Sequence, residues 1–81
     1  MLADLSEDVI LCQITSKNVR DNYGVQLNEN DFISGSLPVQ SNIRPNRIFT
    51  ADKNIIIKKA GTVSENISKL VVNKIIDIIS K

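Results

Sequence analysis

Ser41-Asn42-Ile43-Arg44-Pro45-Asn46-Arg47-Ile48-Phe49-Thr50-Ala51-Asp52-Lys53 is the stretch whose reading decides the fold. Residues 41–49 read as a strand or a strand with a bend. Pro45 cannot donate to a ladder, so an irregularity is expected in the middle of residues 41–49. An earlier run, Val9-Ile10-Leu11-Cys12-Gln13-Ile14-Thr15-Ser16-Lys17, makes the natural companion. Residues 9–15 read as a nearly continuous apolar strand, interrupted only by Gln13, and such a pattern fits a strand covered on both faces. Each run carries hydroxyl and basic residues at or near its end. A strand holds its last side chains rigidly, and Thr, Ser, Arg and Lys together suit a phosphate or phosphodiester.

The remaining segments fill in around these two. Residues 17–22 are polar and read as a loop, and residues 23–27 as a short strand with Val25 and Leu27 on one face. A polar turn at 28–31 precedes Phe32 and Ile33, an apolar anchor before the pliable Ser34-Gly35-Ser36. Leu37-Pro38-Val39 reads as extended, residues 50–54 as a turn, and residues 55–59 as a β-branched strand closed by Gly61. The period then changes. Thr62-Val63-Ser64-Glu65 matches a capping box with Thr62 as N-cap. After it Ile67, Leu70, Val71, Ile75, Ile78 and Ile79 recur at helical spacing, with Lys69, Asn73, Lys74, Asp77 and Lys81 on the other side. The expected architecture is mainly β: a small, strongly bent antiparallel sheet or partial barrel with a C-terminal helix packed on it. Four or so strands are few for closure, so either the sheet is open or a partner chain completes it.

Composition limits the chemistry. Eighty-one residues form one domain near the lower size limit for a self-sufficient core. Aromatic residues at 4 % and no Trp leave Ile, Val and Leu to fill it. A net charge of +1 excludes a strongly electrostatic nucleic-acid binder, so any anion site is local. There is no His, hence no Cys–His nucleophile, and one Cys gives no zinc site. Cys12, inside an apolar strand, reads as a small buried hydrophobe, and a reducing, cytoplasmic setting follows. Residues 1–8 carry three acids and no cationic segment, so no secretory leader is expected. Lys, Asn or Asp interrupts every long apolar run, so no membrane span is expected either.

Four separated segments, VILCQITSK, SGSLP, SNIRPNRIFTADK and IIIKKAGTVSENISKL, resemble the PemK/MazF toxins in order and spacing, over residues 8–81. The resemblance implies an SH3-like small barrel with a terminal helix. It implies the toxin of a type II toxin–antitoxin module, a homodimer that inhibits growth by cutting single-stranded RNA without a metal or cofactor. The chemistry implied is attack of a ribose 2′-OH on the adjacent phosphate. Its partners would be RNA, a cognate antitoxin and, together with the antitoxin, operator DNA. The family's conserved hydroxyl falls on Thr15, the candidate catalytic residue, followed by Ser16 and Lys17. Its T-x-D element falls on Thr50, Ala51 and Asp52. Some members carry an Arg just before that Thr, where this chain has Phe49, with Arg47 the nearest Arg. Ser16, Lys17, Arg20, Arg44, Arg47 and Asp52 are the candidate substrate-binding residues. Members also begin with a strand and a Gly-x-x-x-Arg-Pro segment that has no counterpart here. A barrel short of one or two strands is therefore expected, as is weak or absent cleavage by these 81 residues. The alternative is a non-catalytic module of the same fold that binds an antitoxin, a nucleic acid or a protein target.

Overall fold

Pro45 sits in the longest strand and deforms it. The computed structural model describes residues 2–17, 22–56 and 58–80. Its strands are β1 (Ala3–Asp4), β2 (Asp8–Thr15), β3 (Val25–Leu27), β4 (Phe32–Gly35), β5 (Ser41–Asp52) and β6 (Gly61–Val63), followed by helix α1 (Glu65–Ile79). β2 and β5 pair antiparallel from Asp8↔Asp52 to Cys12↔Ile48, then resume at Gln13↔Arg44 and run to Thr15↔Asn42. β2 advances by one residue while β5 advances by four, so residues 45–47 bulge out of the ladder. The Pro45 side chain is fully buried in this bulge. A proline has no N–H to lend to a central strand, and the bulge removes the demand.

The described strands form two open sheets, one in the order β1-β2-β5-β3 and a second made of β4 and β6. The fold is mainly β with one C-terminal helix, and the open sheets fit an incomplete small barrel. Val25, Leu27, Ile43, Ile67 and Val71 make the core, with Leu2, Cys12, Phe32, Leu37, Val63 and Ile75 packed around it. The cluster joins one face of β3 and β5 to one side of α1. The N-terminal hairpin is tied to the far end of β5, where Lys53 Nζ meets Asp4 Oδ1 at 2.7 Å and the Lys53 amide donates to the Glu7 carbonyl at 2.9 Å.

β4 and β6 approach closely at Gly35 and Gly61. Gly35 has φ +71°, and a Cβ there would overlap the Ala60 carbonyl oxygen. A Cβ on Gly61 would fall 2.5 Å from the Ser34 carbonyl oxygen.

Several local expectations need correction. Residues 23–27 yield a strand only over Val25–Leu27, and the 28–31 turn is a 3-10 turn at Glu29–Asp31. Phe32 and Ile33 begin a strand, β4, that also takes in Ser34 and Gly35. Residues 37–39 are not in a strand. β2 is covered on both faces only near its start: Val9 is fully buried, whereas Gln13 and Ile14 are exposed. β5 runs on through residues 50–52, expected in a turn, and Lys53–Ile55 form a 3-10 turn instead of opening a strand. The Asp52 carboxylate accepts the Asn54 amide at 2.8 Å, which turns the chain before Ile55 can extend. Residue 57 lies outside the described residues. The strand that closes on Gly61 begins there instead, as β6.

Thr62 belongs to β6, so it is not the helix cap. Ser64 is: its Oγ accepts the Ile67 amide at 3.3 Å. In the helix Ile67 and Val71 are buried, and Ile75 and Ile78 half-buried, but Leu70 and Ile79 of the expected stripe face solvent. Lys81 lies outside the described residues.

Ser64→Ala should lower folding stability by about 1 kcal/mol, the usual worth of an N-cap hydroxyl, and Ser64→Asp should retain most of it. Urea denaturation followed by far-ultraviolet circular dichroism measures both; an unchanged midpoint in the alanine variant would return the cap to another residue.

Candidate functional site

Cross-strand partners share a face of a sheet, and so do alternate residues along a strand. Gln13 pairs with Arg44, Thr15 with Asn42, and Gln26 with the same Asn42 from the other side. Gln13, Thr15, Gln26, Asn42 and Arg44 therefore stand on one face of β2, β5 and β3. The intervening residues Val25, Leu27 and Ile43 point the other way, into the core beneath α1. Folding buries one set of side chains and displays the other.

Thr15 is the last residue of β2 and is half-buried. Its Oγ1 accepts the Lys17 amide at 3.1 Å. One of its two acceptor lone pairs is thus used, and the hydroxyl proton can be turned to donate. Ser16 and Lys17 follow, both exposed. Arg44 is half-buried, and its Nε is shut off from solvent, so the base of its fork is held in place while it shares the face of Thr15. Two residues of strand separate the Thr15–Asn42 level from the Gln13–Arg44 level, about 7 Å. Arg47 is exposed in the bulge, adjoining the level at which the ladder resumes.

The structure thus gathers Thr15, Ser16, Lys17, Arg44 and Arg47 toward one end of the sheet. Asp52 does not join them. It is opposite Asp8, seven residues along β2 from Thr15, or about 23 Å of strand. Its carboxylate is engaged in the 3-10 turn. Arg20 lies outside the described residues. Sequence reading missed the three carboxamides, Gln13, Gln26 and Asn42, because only the register shows that they share a face. Among the described residues, no three of His, Cys, Asp and Glu are placed to share a metal ion, and no helix is long and apolar enough to cross a membrane.

The model of the PemK-like, MazF-like toxins of type II toxin–antitoxin systems matches residues 2–79. The chain belongs to that family. No single curated protein matches it. Membership makes it a toxin-type chain, with an antitoxin partner and an RNA substrate as the family's general associations.

Cys12 lies directly behind this site. Its Sγ donates to the Arg44 carbonyl at 2.9 Å, and the side chain packs against the core. Burial pushes the thiol above its ordinary range. It should therefore stay protonated at neutral pH and react slowly. Iodoacetamide should label Cys12 more slowly in the folded toxin than in urea, and equal rates, corrected for urea, would show an accessible thiolate.

Proposed function

We propose that this PemK/MazF-type chain cleaves single-stranded RNA by metal-independent attack of a ribose 2′-OH on the adjacent phosphate. The observation that carries the reading is the placement of Thr15, Asn42 and Arg44, all half-buried, on one face of the sheet. As the 2′-oxygen bonds to phosphorus, the 5′-oxygen leaves, giving a cyclic 2′,3′-phosphate and a 5′-hydroxyl. The 2′ proton departs and the 5′-oxygen gains one. Negative charge builds on the non-bridging oxygens. The Thr15 hydroxyl and the Arg44 guanidinium are the groups able to stabilise it, with Lys17 and Arg47 holding flanking phosphates.

A second reading is a module that binds RNA, antitoxin or another protein without cleaving. It draws on Phe49, which stands where some members of the family carry an Arg. In either reading the toxin would act as a homodimer in the cytoplasm. It would also join operator DNA in company with its antitoxin. An acidic, partly disordered antitoxin segment would cover Arg44 and Arg47 and block the RNA face.

Incubating end-labelled single-stranded RNA with excess toxin in EDTA should yield slow cleavage with those two termini. Thr15→Val should reduce the rate on the order of 10²-fold or more without loss of fold, since Val suits a strand as well as Thr does. RNA that is bound but left intact at every enzyme ratio would establish the second reading. Full activity in a folded Thr15→Val variant would restrict Thr15 to ending the strand.

Charge reversal by Arg47→Glu, with Arg44→Glu alongside, should weaken antitoxin binding, and more so at low salt, where screening is weakest. Titration calorimetry at two ionic strengths measures this. Unchanged affinity would separate the antitoxin surface from the RNA face.

A further inference from the structure

Beyond the bulge, Leu11 pairs with Phe49. Leu11 alternates with Gln13 and Thr15 along β2, so Phe49 shares their face. Phe49 is 49 % exposed. An aromatic side chain is thus left half in water on the face that carries Gln13 and Arg44. Phe49 stands about 13 Å along β2 from the Thr15 level, with Gln13 and Arg44 between them. That is far enough to serve a neighbour of the nucleotide on Thr15, and too far for the same one.

The intervening groups suit unpaired bases. Gln13, Gln26 and Asn42 each offer a carbonyl and an amino group, the pair of functions that matches base edges. Among the described residues, no carboxylate interrupts the face between Phe49 and Thr15. The nearest on this face along the ladder, Asp4 opposite Val9, is held by Lys53. A ring beside amides and cations, clear of acid, is the usual composition of a surface that binds single strands.

We propose that Phe49 is a stacking platform for an unpaired RNA base, and that Gln13, Gln26 and Asn42 read base edges beside it. The inference rests on RNA as the ligand and adds a specificity-determining role that the cleavage chemistry does not require. Bases in a duplex are already stacked and cannot use the platform, so it selects single strands.

The chain has no Trp, so Phe49→Trp places a sole indole reporter on the face. Its emission should be quenched by a single-stranded oligoribonucleotide and left unchanged by duplex RNA. Phe49→Leu should weaken single-strand affinity by roughly 5- to 150-fold, the range for losing one stacked base. An oligonucleotide lacking bases should bind the wild-type and Phe49→Leu chains alike. Gln13→Val should level the preference among the four homopolymers. Unquenched indole at saturating RNA, or undiminished affinity in Phe49→Leu, would overturn the platform. An unaltered homopolymer preference in Gln13→Val would overturn edge reading by Gln13. A wild-type chain that binds no single-stranded RNA would overturn this inference and the proposed function together, whereas RNA binding with an indifferent Phe49 overturns the inference alone.

Discussion

The pairing of β2 with β5 across the Pro45 bulge is the constraint on which the molecule depends. β5 pairs with β2 along most of its length and with β3 at residues 41–43, and a ladder draws on the N–H groups of both its strands. Proline cannot supply one. The chain resolves the conflict by ejecting residues 45–47 from the register. On one side of the bulge, residues 41–44 complete the ladder that reaches β3 and the core. On the other, residues 48–52 hold β2, beneath the N-terminal hairpin. The bulge sets which side chains share a face and gives Arg47 its exposed position.

That division separates stability from chemistry. One face of β3 and β5 is covered by Ile67 and Val71 of α1. The opposite face carries the polar residues. A substitution among the displayed carboxamides leaves the apolar cluster intact, and repacking beneath the helix need not disturb Thr15 or Arg44. Cys12 is the exception, since its thiol donates to the Arg44 carbonyl across the ladder. The helix has apolar surface to spare. Val72, Ile76 and Ile79 stand beside the buried stripe but face solvent.

Much of this was legible in the sequence, and the failures have physical causes. The period of α1 was plain, yet its start was misplaced by two residues. Thr62 and Ser64 can both cap a helix, and only pairing of Gly61–Val63 with β4 decides between them. Residues 55–59 read as a strand because β-branched residues fit one, but Asp52 turns the chain at Lys53–Ile55. A two-residue strand such as β1 is too short to show a period. At the candidate site, the proximity of Thr15 and Arg44 followed from two antiparallel strands with hydroxyl and basic ends. Asp52 stands apart from the other candidates because the ladder carries it to the opposite end of β2, although only five residues separate it from Arg47 in sequence. The shared face of Phe49 and Gln13 could not be seen at all, since a three-residue bulge changes the parity of every pairing beyond it.

The contact between Gly35 and Gly61 bears on how this family drifts. Two backbones meet there with no room for a methyl group on either, and Gly35 also holds a left-handed conformation. Neither residue lies on the polar face. Selection acting on them would be wholly steric, and the two positions would have to change together or not at all. Across descendants they would look as immutable as a catalytic pair, although their only service is to let two strands touch.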